Sequence, residues 1–279
     1  MTDDGYQVYA VEYGWTMDQP VGLALAGHFN EGINPMPYGF VVARSKSRVV
    51  LVDMGFEAVG SGDRMRVKFR VDPYISPVTA LKAMDIRPQD VTDVIVTHAH
   101  YDHMGSLGSF PSAHFYLQKE ELARWKWALG RGKPFGNLTA ACNPDDVAQA
   151  EALVAARRMT LIDGAARDMV PGISVEVAPE SHSYMLQFAV IERTARGRMI
   201  AAGDGAFSRG NFPAPGGDGA FTPLGFGVGS LTGMVLGLEK LYDLAGQELD
   251  RIIIVHENKT YEGSGVTKID GGMRVRKLA

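Results

Sequence analysis

The chain has 279 residues, 46% of them hydrophobic and 22% charged, which suits a globular fold and excludes a disordered one. With 28 Lys and Arg against 32 Asp and Glu the net charge is −4, the wrong sign for a chain built to grip nucleic-acid phosphates. A single cysteine, Cys142, excludes both an intramolecular disulfide and a cysteine-based zinc cluster.

The N-terminal Met1–Gly5 is acidic where a secretory leader would be basic and then apolar. No run approaches the roughly 18 apolar residues needed to cross a bilayer. Together these predict a cytoplasmic protein that meets neither membrane nor nucleic acid. Strand-like runs come first, at Tyr6–Tyr13, Val21–Ala26, Tyr38–Ala43 and Arg48–Asp53. Over Asp63–Arg70, Arg64, Arg66, Lys68 and Arg70 alternate with Met65, Val67 and Phe69. That pattern predicts a strand with four cations on one side, either a solvated edge or an anion-steering or dimer-contact strip that would serve a homodimer. Ser76-Pro77 caps a helix over Val78–Asp85. Strands follow at Val91–Thr97 and His114–Leu117, then helices at Lys119–Leu129 and, behind Asn143-Pro144, at Asp145–Arg158.

The second half repeats the rhythm, with strands at Ile173–Ala178, Tyr184–Glu192, Arg198–Gly203 and Arg251–Val255. Between the last two, Leu231, Met234, Val235, Leu238 and Leu241 share one helical face. Residues Gly205–Gly229 are rich in Gly and Pro, carry Phe207, Phe212, Phe221 and Phe226, and read as an insertion. Two halves of strands followed by helices predict two sheets packed together with helices outside. No composition shift marks a linker, so residues 1–279 read as one domain.

The chemistry concentrates in Thr97-His98-Ala99-His100-Tyr101-Asp102-His103-Met104-Gly105, immediately after an apolar strand. Backbone leaving a strand can aim His98 and His100 at one point, with Asp102 and His103 directed at a second point close by. Neutral imidazole and carboxylate are natural ligands of zinc and similar ions. Four such groups in six positions are poorly explained as core residues, because each would need its own buried partner. His182, Asp204 and His256 follow later strands and can complete a metal site. His114, inside an apolar strand, reads as a core residue, and His28 as a residue of a Gly-flanked loop, with a place at the border of a pocket as the lesser alternative.

The order His-x-His-x-Asp-His, followed by His, Asp and His, resembles the metallo-β-lactamase superfamily, and Leu51-Val52-Asp53-Met54-Gly55 matches that family's early strand-Asp-x-Gly turn. The resemblance runs from about Tyr38 to Glu257. It implies an α/β fold, a four-layer αβ/βα sandwich of two mixed β-sheets flanked by helices, with a dinuclear site at the sheet edges. By that resemblance His98, His100 and His182 hold one ion, and Asp102, His103 and His256 the other. Asp204 bridges both, and Asp53 supports the ligands from behind. The ions implied are two divalent metals, zinc first, with manganese or iron as alternatives.

The reaction implied is attack of a metal-bridging hydroxide on a carbonyl, because paired ions lower the pKa of bound water from about 15.7 towards about 7. Asp102 and Asp204 are the catalytic carboxylates of that scheme, with Asp204 passing a proton to the leaving group. An aromatic residue between His100 and Asp102 is similar to the N-acyl-homoserine lactonase branch, which includes lactonases of vitamin B6 breakdown. The small-molecule substrate is then a cyclic ester or a related cyclic amide. Where that branch usually places a substrate-contacting tyrosine, this chain has Phe207, which leaves Tyr101 or Tyr184 to make the contact. Around His182 the run Glu180-Ser181-His182-Ser183-Tyr184 lacks the family's usual glycines. Alternatives are a thioesterase similar to glyoxalase II, disfavoured because only residues 257–279 follow His256, and a mononuclear-iron sulfur dioxygenase.

Overall fold

The computed structural model describes residues 5–213 and 219–279. Met1–Asp4 and the middle of the Gly205–Gly229 segment lie outside the described residues. The first half runs β1 (Gln7–Thr16), α1 (Val21–Ala24), β2 (Met36–Arg44), β3 (Val49–Val52), α2 (Ser61–Lys68), α3 (Pro77–Lys82) and β4 (Asp93–Ile95). It continues through α4 (Tyr101–Met104), β5 (His114–Gln118), α5 (Lys119–Leu129), α6 (Pro144–Ala155), β6 (Met159–Ile162) and β7 (Ala166–Val170). The second half adds β8 (Ile173–Pro179), β9 (Met185–Thr194), β10 (Gly197–Ala201), α7 (Leu231–Leu244), β11 (Ile252–Ile253), β12 (Val266–Lys268) and β13 (Arg274–Lys277).

Among the described residues the strands form two sheets, in the orders β12-β13-β1-β2-β3-β4-β5-β6 and β11-β10-β9-β8-β7. Both are mixed. In the first, β3 to β6 run parallel while β1, β2 and β13 pair antiparallel. In the second, β10 and β11 are parallel and the rest antiparallel. Side chains alternate across a strand, so one sequence feeds two cores. From β2, Val41 and Ala43 face the second sheet and meet Val175, Ala189, Ile191 and Ala201. Phe40 and Val42 face the other way, onto Leu81, Leu122 and Trp125 beneath the helices. On the far side, α7 lays Leu238 and Leu241 over Leu186, Phe188 and Ile200. The result is the helix, sheet, sheet, helix sandwich that the sequence implied. Strands buried on both faces carry unbroken apolar runs such as Val49-Val-Leu-Val52.

Two expected strands are helices. Val21–Ala26 contains α1, a single turn, and the alternating stretch lies in α2 up to Lys68, with Phe69 and Arg70 just beyond it. Three-residue helical spacing places Arg66 beside Asp63 at 2.8 Å, while Arg70 pairs with Asp18, and Lys68 reaches the Ala140 carbonyl and lies over the Phe69 ring. The expected basic strip is therefore dispersed into separate pairs. His114 is half-buried rather than core and bonds Thr160 Oγ1 at 2.7 Å, because its position on β5 faces outward. His28 sits in an exposed loop, 2.7 Å from Glu31. No helix among the described residues is long and apolar enough to cross a membrane.

Candidate metal centre

The seven residues singled out as ligands come together at one edge of the sandwich, each beyond the end of a strand. His98 to His103 follow β4, His182 lies between β8 and β9, Asp204 follows β10 and His256 follows β11. Parallel neighbours β3 and β4 bring Asp53 beside this turn, and parallel β10 and β11 bring Asp204 beside His256. Gly203 makes the last turn feasible. Its φ is +51°, and a Cβ there would stand 2.4 Å from Thr97 Oγ1.

Donor atoms fall into two groups, His98, His100, His182 and Asp204 in one, Asp102, His103 and His256 in the other, all buried. In the first, His100 Nδ1 lies 3.0 Å from His98 Nε2 and 3.1 Å from His182 Nε2. Asp204 Oδ2 lies 3.1 Å from His182 Nε2 and 3.6 Å from His98 Nε2. The other oxygen, Oδ1, lies 3.0 Å from His103 Nε2 and 3.1 Å from His256 Nε2, and Asp102 Oδ2 is 3.5 Å from both nitrogens. Donors around a tetrahedral zinc at about 2.0–2.1 Å stand about 3.3 Å apart. Both sets have that spacing, with Asp204 turning one oxygen to each.

The outward nitrogens fix which atoms face inward. His182 Nδ1 donates to the Phe226 carbonyl at 3.0 Å and His256 Nδ1 to the Pro37 carbonyl at 2.8 Å. His103 Nδ1 donates to Asp53 at 2.7 Å, and His98 Nδ1 to Thr97 Oγ1 at 3.0 Å. Each Nε2 is therefore the atom turned inward on its neighbours, an arrangement that suits a shared cation. Asp204 Oδ1, His100 Nε2 and His103 Nε2 are buried without a hydrogen bond.

Charge is unevenly distributed. Burial and the neighbouring imidazoles hold His98 and His100 below the ordinary histidine value. Burial opposes charge on His103 too, but Asp204, Asp53 and Asp102 outweigh it and lift its pKa well up. On His256 burial is likewise overcome by Asp204 and Asp102, which raise it to about 9. Against their own burial, the histidines keep Asp102 and Asp204 ionised below the usual carboxylate range.

Above the ligands lies a chamber of about 270 Å³ walled by Leu23, Met36, Tyr38, Phe69, Phe207 and Phe226, together with Tyr101 and Gln19. Phe207 packs between His182 and His256, with ring centroids 5.4 and 5.0 Å away. Tyr101 stacks on Phe69 and donates its hydroxyl to Tyr38 at 3.3 Å. Tyr184, also expected to contact substrate, is buried against Trp125 and is not part of this wall.

Sequence reasoning missed Tyr38 and Glu121. Glu121 is fully buried on α5, where its carboxylate accepts the Ala99 amide at 2.9 Å, Trp125 Nε1 at 2.7 Å and the Met185 amide at 2.7 Å, as well as Ser183 Oγ. It therefore ties the His98–His100 turn to the His182 loop. An acid sharing the helix stripe of Leu122, Trp125 and Ala128 was the available signal.

Residues 37–154 match the model of the metallo-beta-lactamase superfamily. Among solved structures it is similar to a quorum-quenching N-acyl homoserine lactone lactonase, at TM-score 0.67 and 19% identity over 94% of this chain and 96% of that one. It is also similar to AidC, a dizinc quorum-quenching lactonase, at 0.61 and 17% over 98% and 97%. A curated relative, the N-acyl homoserine lactonase AttM of Azorhizobium caulinodans, is 43% identical over 44 residues, 16% of this chain and 17% of that protein. The match thus spans about a sixth of that relative's length.

Proposed function

We propose that this chain is a dinuclear metal hydrolase that opens a cyclic ester, or a related cyclic amide. The observation that carries the reading is the pair of complete ligand sets sharing Asp204 at the floor of an apolar chamber. The seven residues that would hold the ions are His98, His100, His182, Asp102, His103, His256 and the shared Asp204. Two divalent ions bound there, zinc first, would supply Lewis acidity and activate water at neutral pH. Completeness of both sets favours this over a mononuclear-iron oxygenase.

The chain's own residues account for the rest. Leu23, Met36, Phe69 and Phe226 exclude water and suit an uncharged, apolar ring. Apart from the ligands, no charged side chain among the described residues lines the chamber. Tyr38 accepts a hydrogen bond from the Tyr101 hydroxyl, which leaves its own O–H to donate to a substrate oxygen in the chamber. Asp204, held ionised between four imidazoles, is placed to take and return a proton at its carboxylate. Because both sheets contribute ligands, we read residues 1–279 as one functional domain, and its lone buried thiol suits a cytoplasmic setting. Turnover of a panel of lactones, cyclic imides and thioesters by the metal-replete protein tests the reading. We expect lactone or cyclic-amide opening, and thioester cleavage alone would overturn it.

A further inference from the structure

A second cluster of charge stands away from the metal ligands. Arg196, Arg209, Lys259 and Arg276 line a cavity of about 390 Å³ together with Asp250 and Glu262. Cations outnumber acids there, in a chain whose net charge is −4.

The guanidinium groups are held in place but incompletely used. Arg276 on β13 donates from Nη1 to the Lys259 and Thr260 carbonyls at 3.1 and 3.2 Å, which fixes its plane. Its Nε is buried and has no hydrogen-bond partner among the described residues. Arg209 donates from Nη1 to Asp250 at 3.0 Å. Its Nε is also buried, 3.3 Å from Glu257 Oε2 but without hydrogen-bond alignment. Among the described residues the Arg196 guanidinium reaches the Leu278 carbonyl alone, at 3.5 Å.

Burial first, and then the nearby Arg196 and Arg209, push the Arg276 pKa down. The two acids relieve this only in part. Asp250 is largely exposed and engaged by Arg209, and Glu262 accepts from Asn258 Nδ2 at 2.6 Å.

We propose that this cavity binds the oxyanion group of a small metabolite, a phosphoryl or carboxylate group held by Arg196, Arg209 and Arg276. Fixed guanidinium forks with spare N–H donors match oxyanion acceptors, and the volume falls within the range of small-molecule sites. None of the metal ligands lines this cavity, so the site stands apart from the hydrolytic reading.

The test titrates inorganic phosphate into the metal-loaded full chain by calorimetry, with Arg196→Ala and Arg276→Ala beside it. Arg196 has only the one long contact, so its substitution leaves the fold intact if Arg276→Ala does not. We expect saturable binding that each variant weakens about tenfold and that added sodium chloride weakens further. Sodium acetate competing as well as phosphate identifies a carboxylate ligand; its failure identifies a phosphoryl ligand. Binding that does not saturate, or that survives unchanged in Arg196→Ala, overturns the proposal. In the latter case the phosphate is sitting on the metal ions.

Discussion

Asp53 Oδ2 lies 2.7 Å from His103 Nδ1 and 2.9 Å from the Thr97 hydroxyl, which in turn stands 3.0 Å from His98 Nδ1. One carboxylate thus orients a histidine from each ligand set. Its second oxygen accepts the Thr97 amide at 2.7 Å, so the turn that carries His98 is anchored as well. Asp53 holds φ at 61°, in the left-handed region that costs most side chains energy.

Asn tolerates that backbone, so Asp53→Asn isolates the loss of charge from the loss of shape. We expect metal affinity to fall about 10- to 100-fold while the far-UV spectrum is kept. Competition with a chelator of known affinity measures it, and unchanged affinity would mean that the Asp53 link is ornamental.

Metal uptake should depend on pH set by set. His98 and His100 sit below the ordinary histidine value and need shed no proton near neutrality. His256 is raised to about 9 and His103 is raised as well, so an ion entering their set must displace bound protons. Affinity at that set therefore rises with pH towards 9, while the other set changes little above pH 7. Equilibrium dialysis should give near one ion per chain at pH 6 and two at pH 8. A stoichiometry independent of pH would contradict this.

The two aromatic walls of the chamber make opposite predictions. Tyr38→Phe removes the hydroxyl that receives the Tyr101 hydrogen bond and should lower kcat on a lactone about tenfold with little change in KM. Phe207→Tyr adds a donor between His182 and His256 and should raise hydrolysis of N-acyl-homoserine lactones. Steady-state kinetics reads both, and a KM change alone in Tyr38→Phe would make that residue a packing element.

Stability carries its own pH signature at Asp146. Burial lifts this carboxyl to about 7, with Asn143 opposing the shift through a 2.9 Å hydrogen bond to one oxygen. The unfolded chain loses that proton near pH 4, so the folded state is progressively penalised from pH 4 to 7. Asp146→Asn should leave stability near pH 4 almost unchanged and raise it by about 2 kcal/mol at pH 8. Urea unfolding at the two pH values checks the sign.

Much of this centre could be read from the chain because its ligands obey local rules. His98 to His103 sit on one short turn, and His182, Asp204 and His256 each follow a run that reads as a strand. The two-sheet sandwich was equally readable from its apolar runs. What escaped was non-local. Tyr38 looks like any strand aromatic until β2 is seen to end beside His256, 5.2 Å from its ring. Glu121 shows its role only once α5 packs against two loops. The 63–70 stretch misled because its strict alternation of cations and apolar residues is the pattern of a strand, whereas the helix that forms there brings Arg66 onto Asp63 three positions away. Strands β12 and β13, short and rich in polar residues, carry little signal of their own; β13 forms by pairing onto β1, and β12 onto β13.

The most direct test is lactone turnover by protein prepared with none, one and two zinc ions per chain, followed by proton release at constant pH. We expect no turnover in the chelated protein, appearance of activity with the second ion, and loss of both activity and the second ion in Asp102→Ala. Equal turnover in the chelated and the two-ion protein would contradict the account.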